Sequence, residues 1–234
     1  MPGPDRCLWL LAEPEVDAFT ARLGGPALLT PEERAEWARK LTPTARRRYL
    51  AGRLLARHAL TASSGRPVTA WRFRRTGHGR PEPEPGDHGL RFNLSHTDGL
   101  IACVVARDGR ACGVDVERFP AGDDAVAYLP RHFAAEERAD LAAAGPQERA
   151  ARVAAYWVLK EAYAKALGTG LRKPLSAYAF TGLADGPVRL RDSERPASGR
   201  DWHFDLIRPG PGHVVAVAAE RAAPGGLRTV TVSA

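Results

Sequence analysis

Methionine occurs once in this chain, cysteine three times and lysine four times, against 30 arginines in 234 residues. The cysteines, Cys7, Cys103 and Cys112, are odd in number and show no C-x-x-C spacing, and two of them lie in or beside apolar strand-like runs. A disulfide framework and a cysteine zinc site are therefore excluded, and buried free thiols are expected. No apolar run approaches the roughly 18 residues of a spanning helix. The N-terminus MPGPDRCLWLLAEPEVD lacks a basic n-region and carries acids directly after its short apolar patch, so a soluble protein of the cytoplasm is expected, with no membrane partner. What is plentiful is positive charge, +7 in formal net and a pI near 9.8. Such a balance favours an anionic partner: nucleic acid, a phosphorylated ligand or an acidic protein. The arginines are dispersed and no finger or RNP-like signature accompanies them, which argues against nucleic acid.

With 44% hydrophobic and 26% charged residues, the chain reads as a folded protein of one large domain or two small ones. LLTPEERAEWARKL opens with Thr30, Pro31 and Glu33, a capping box that predicts a helix over about 31–41. A second helix follows in TPTARRRYLAGRLLARHALTASSG, with an apolar face through Leu50, Leu54, Leu55 and Leu60 and arginines mostly on the other side. From residue 68 short β-like runs take over: VTAWRFR, then LRFNL, LIACVVA and ACGVDVE, read as strands joined by tight turns. Helices return in AAEERADLAAAG and in PQERAARVAAYWVLKEAYAKALG, which Gly168 should close. LSAYAF, PVRLR, WHFDLIR, HVVAVAA and LRTVTV are again β-like. A weak internal echo sets RFNLSHTDGLIACVVA beside HFDLIRPGPGHVVAVAA, although any β-hairpin could give that pattern.

Two of the four lysines fall in one nonapeptide, WVLKEAYAK at 157–165, inside an apolar, alanine-rich helix. Trp157, Glu161 and Lys165 share a stripe at i, i+4 and i+8, with Lys160 beside it. An exposed Glu161–Lys165 pair is the plain alternative, worth a few tenths of a kcal/mol. In GVDVE, Asp115 and Glu117 point to the same face of a strand, opposite Val114 and Val116. Three carboxylates with remaining oxygen positions suit Mg²⁺ or Mn²⁺, particularly when a substrate phosphate completes the shell. Ser95 and His96 stand in FNLSHTDG, but no G-x-S-x-G elbow surrounds the serine and neighbours in an extended chain point to opposite faces. Hydroxyl, imidazole and the cations Arg80, Lys160 and Lys165 are instead donors that a phosphate-rich ligand would want.

Taken in order, G-R-P, F-N-L-S-H-T, G-V-D-V-E and W-V-L-K-E-A-Y-A-K resemble the motifs of the 4'-phosphopantetheinyl transferases of the surfactin-synthetase type, from the capped helix near Thr30 through LGTGL at 167–171. The resemblance implies an α+β monomer of two similar halves, 1–112 and 113–234, related by a pseudo-twofold axis, with coenzyme A and Mg²⁺ between them. It assigns the metal to Asp115, Glu117 and Glu161, and the coenzyme A phosphates to Gly79, Arg80, Pro81, Ser95 and His96. Lys165 and Lys160 complete the phosphate site, and Glu161 is the candidate base. The implied partner is an apo carrier protein, acyl, peptidyl or polyketide, whose acidic surface a +7 chain would attract.

This chain departs from the family where cations are common in the first helix: it has Glu33 and Glu36 there, with Arg39 and Lys40 a turn later, and Tyr49 at a position where some relatives have a small hydroxyl residue. Two rival readings remain. A basic nucleic-acid module would use the Arg46 to Arg57 face, and a carboxylate-metal phosphohydrolase would use the three acids with water as nucleophile.

Overall fold

The computed structural model describes residues 6–75, 81–84, 89–107, 109–183, 186–195, 198–221 and 226–233. In chain order its elements are β1 (Arg6–Ala12), α1 (Val16–Leu23), α2 (Pro31–Ala38), α3 (Pro43–Ser64), β2 (Phe73–Arg75), β3 (Pro81–Pro83), β4 (Arg91–Thr97), β5 (Leu100–Ala106) and β6 (Cys112–Arg118). There follow α4 (Asp123–Tyr128), α5 (Ala135–Ala143), α6 (Pro146–Leu167), β7 (Tyr178–Thr181), β8 (Arg189–Asp192), α7 (Ser198–Asp201), β9 (Trp202–Gly210), β10 (His213–Glu220) and β11 (Leu227–Val232). This α+β chain divides into two compact units, Arg110–Pro224 and the remainder.

In the first unit the capping box forms as the sequence requires. Thr30 Oγ1 accepts from Glu33 N at 3.2 Å and the Glu33 carboxylate accepts from Thr30 N at 3.0 Å. Helix α3 starts at Pro43 behind the cap Thr42 and stops at Gly65, whose φ of 78° lies in the left-handed region that glycine enters without penalty. Its stripe Leu54, Leu55, Ala59 and Leu60 is buried with Leu11, Phe92, Ile101, Cys103 and Val105 of a sheet ordered β11–β1–β5–β4. The second unit repeats this plan. Helix α6, also of 22 residues and also begun by proline and ended by a left-handed glycine, packs Val158, Leu159, Ala162 and Ala166 with Val214, Ala216, Ala218 and Phe204 of a sheet ordered β6–β10–β9.

Strand orders β1–β5–β4 and β6–β10–β9 are the same, and all four pairings are antiparallel. The sequence echo is thus the pair of hairpins β4–β5 and β9–β10. Three expectations change. β6 does not continue the β4–β5 hairpin but pairs with β10. VTAWRFR gives only a turn of 3₁₀ helix at Val68–Ala70 and the three residues of β2. β11 pairs in parallel with β1, so the last strand lies with the first unit rather than with residues 113–224. β1 itself was not legible as a strand: RCLWLLA buries residues on both faces and so shows no alternation.

Candidate active site

Gly113 sets the distance between the acids and the helix. A Cβ at this position would lie 2.1 Å from Ala162 O and 2.6 Å from Ala166 N, so β6 runs directly against the backbone of α6. Two residues along the same strand face, Asp115 is buried and meets the stripe that adjoins Ala162 and Ala166. Lys165 Nζ donates to Asp115 Oδ1 at 2.5 Å, and Trp157 Nε1 donates to Glu117 Oε1 at 3.2 Å. Lys165 therefore pairs across to the strand, where the simple helical reading expected a pair with Glu161.

Glu161 completes the group. Its Oε1 is buried and has no hydrogen-bond partner among the described residues. Burial raises the affinity of this carboxyl for a proton, repulsion from Asp115 and Glu117 raises it further, and Lys165 opposes them. Asp115, Glu117, Glu161, Lys165 and Trp157 are thus brought together, three carboxylates feeling one another's charge. No set of three His, Cys, Asp or Glu side chains forms a ready-made metal cage among the described residues. The fit to a divalent cation is one of chemistry: hard oxygen donors, excess negative charge and a buried carboxylate oxygen without a donor.

Lys160 does not join this group, contrary to the reading of it as a phosphate-binding and catalytic cation. Its ammonium is fully buried, 2.8 Å from Glu137 and 2.7 Å from both Leu175 O and Tyr178 O, among the rings of Phe133, Tyr178 and Phe180. All three donors are engaged, and helical rotation turns the side chain away from the stripe of Glu161 and Lys165. Burial pushes the Lys160 ammonium down and the Glu137 carboxyl up, with their mutual attraction opposing both. Lys173 also holds a carboxylate, at 2.9 Å from the buried Asp192, which accepts as well from Tyr163 Oη at 2.9 Å. Three of the four lysines thus pair with buried carboxylates.

In the first unit Gly79 and Arg80 lie outside the described residues. Pro81 begins β3, and Ser95 and His96 lie in β4, the serine buried and the histidine exposed, on opposite faces. A cavity of about 670 Å³ in this unit is lined by Pro81, Tyr49, Arg39, Arg53, Arg72 and Phe73 together with Glu33 and Glu36. Glu33 is held by Arg57 at 2.5 Å, and Glu36 pairs with Arg39. Tyr49 Oη is buried without a hydrogen-bond partner among the described residues, its ring under Lys40 and Arg53. The supposed basic face of α3 is largely tied up internally: Arg47 binds Asp17 at 2.8 Å, Arg48 binds Glu13 at 3.0 Å, and Arg57 is fully buried.

Sequence comparison decides the family. Residues 111–218 match the model of the 4'-phosphopantetheinyl transferase superfamily, and residues 13–108 match that of the 4'-phosphopantetheinyl transferase N-terminal region. The chain is similar to 4'-phosphopantetheinyl transferase psf-1 of Bacillus pumilus, 31% identical over 76% of this chain and 72% of that protein. It is similar as well to 4'-phosphopantetheinyl transferase HetI of a Nostoc strain, 32% identical over 82% of this chain and 78% of that protein. The chain belongs to the 4'-phosphopantetheinyl transferase superfamily. In this transferase the two family matches meet between residues 108 and 111, beside the seam of the two compact units. The acids and Lys165 all fall within the second match, and Ser95 and His96 within the first. Sequence reasoning missed the structural part of Gly113, whose signal was a glycine inside the strand that carries the two acids.

Proposed function

We propose that this enzyme moves the 4'-phosphopantetheine group of coenzyme A onto a serine of an apo carrier protein and releases 3',5'-ADP, with Mg²⁺, or Mn²⁺ in its place, held by Asp115, Glu117 and Glu161. The observation that carries the metal reading is the buried, donorless Glu161 Oε1 set among the charges of Asp115, Glu117 and Lys165. The serine hydroxyl forms a bond to the β-phosphorus of the pyrophosphate, and the bond from that phosphorus to the bridging oxygen breaks, so that oxygen leaves with 3',5'-ADP. A bound divalent ion supplies charge withdrawal from the pyrophosphate oxygens. Glu161 accepts the serine proton, directly or through one water. Lys165 stands on the same stripe and offers its ammonium to the charge that develops on the leaving diphosphate.

Binding of coenzyme A falls, on this reading, to Gly79, Arg80, Pro81, Ser95 and His96, with the first-unit cavity beside Pro81 as the place for part of the nucleotide. Arg39, Arg53 and Arg72 supply the cations there, in place of those that the resemblance leads one to expect where Glu33 and Glu36 stand. Lys160 has no part in phosphate binding, because its donors are used up in the core. No helix among the described residues is long and apolar enough to cross a membrane, and action in the cytoplasm is part of the same reading. The nucleic-acid alternative loses its main support, because the arginines of α3 are engaged with Asp17, Glu13 and Glu33.

The test is incubation with coenzyme A, Mg²⁺ and a panel of apo carrier proteins, followed by intact mass spectrometry. A gain of one phosphopantetheine on a carrier, abolished by chelation, is expected. Release of phosphate or ADP without any carrier would favour the phosphohydrolase instead, and an unmodified panel with intact coenzyme A would refute the transfer.

A further inference from the structure

The residue before Glu161, Lys160, is held at all three of its donors. Lys160 joins the start of α5, through Glu137, to the 175–178 segment, through two carbonyls. Glu137 is itself fixed, since one oxygen accepts from Ala134 N at 2.9 Å and the other from Phe180 N at 2.8 Å. Neighbouring residues on a helix point about 100° apart. Holding Lys160 on one side while Gly113 meets Ala162 and Ala166 on another leaves α6 no freedom to roll.

The first unit contains the same device. Arg57, like Lys160, lies 14 residues beyond the proline that opens its long helix. Arg57 is fully buried and meets Glu33, which is the third residue of a short helix and caps it, as Glu137 is the third residue of α5 and caps it. The residue after Arg57 is His58, packed edge-on against Trp9 at 5.2 Å and Phe19 at 5.7 Å. The same clamp therefore presents an imidazole to an aromatic cluster in one unit and a carboxylate to Asp115 in the other.

We propose that Lys160 and Glu137 are positioning residues for Glu161: their buried pair fixes the rotation of α6 so that Glu161 and Lys165 face Asp115. This rests on the metal reading of Asp115, Glu117 and Glu161. The clamp touches neither substrate nor reacting atoms and acts only through the aim of the next side chain.

Calorimetric titration of the coenzyme-free protein with Mn²⁺, alongside carrier loading, tests it. Lys160→Met combined with Glu137→Gln removes both charges, and Glu137→Asp keeps them while shortening the tie by one methylene. For each, a folded protein by circular dichroism is expected, with Mn²⁺ affinity lowered about 10-fold in the double variant, the scale seen for partners that orient metal ligands. At least threefold is expected in Glu137→Asp, with kcat reduced in both and the KM for the carrier within twofold of wild type. Wild-type Mn²⁺ affinity in whichever of the two folds overturns the proposal. So does an equal loss of Mn²⁺ affinity in Arg57→Met with Glu33→Gln, which would trace the effect to lost stability rather than aim; Mn²⁺ affinity alone is compared there, because Glu33 lines the cavity given to coenzyme A. Glu161→Gln separates the two ideas: if that variant binds Mn²⁺ as wild type does, the metal reading has failed irrespective of the clamp.

Discussion

A methyl group added at Gly113 would sit 2.1 Å from Ala162 O and 2.6 Å from Ala166 N, both backbone atoms that cannot swing aside. Ordinary contact begins near 3.4 Å, so β6 and α6 must part by about 3.4 − 2.1 = 1.3 Å if the strand is to accept Gly113→Ala. Overpacking of this kind costs about 1–3 kcal/mol. A domain stable by roughly 5–15 kcal/mol survives that loss. The site does not survive it so well, because Asp115 moves with β6 while Glu161 and Lys165 stay with α6, and a misplacement of about 1 Å costs on the order of 100-fold in rate. Urea unfolding followed by circular dichroism should therefore show a folded variant destabilised by about 2 kcal/mol, and intact mass spectrometry should show carrier loading slowed about 100-fold. A Gly113→Ala protein with wild-type stability and loading would refute the argument that this close approach sets the geometry of the acids.

The pH dependence of Glu161 gives a second prediction. A carboxyl with a raised folded-state pKa contributes its stability in full below its ordinary value of 4.5 and loses it as pH rises through the raised value. With metal chelated, Glu161→Gln should thus melt higher than wild type at pH 7, the difference closing as pH falls through the raised value toward 4.5, and with Mg²⁺ present it should fail to load a carrier; a lower melting temperature at pH 7 would contradict the assigned burial and repulsion. The +7 net charge predicts that the KM for an acidic carrier rises with salt, and a KM independent of ionic strength would argue against electrostatic steering.

Local rules explain why much was legible. The box at Thr30 and Glu33, prolines at the starts of α3 and α6, and the glycines at Gly65 and Gly168 act within a turn or two of the chain, so sequence suffices to read them. The duplicated hairpins were visible as a faint echo because β4–β5 and β9–β10 keep the same apolar spacing. Strand partners were not legible: β6 prefers β10, about 100 residues away, and β11 returns to β1, because pairing is settled by burial of whole faces rather than by a turn signal.

The lysines mark the same boundary. Sequence by itself determined that Trp157, Glu161 and Lys165 form one helical stripe and that Asp115 and Glu117 share a strand face, since those periods follow from backbone geometry alone. Only the tertiary structure decided that Lys165 reaches Asp115 at 2.5 Å while Lys160, five residues earlier, is buried against Glu137 at 2.8 Å. The physical reason is that a side chain's partner depends on which element packs over it. Here Gly113 lets a strand close onto one side of α6, while the cap of α5 closes onto another.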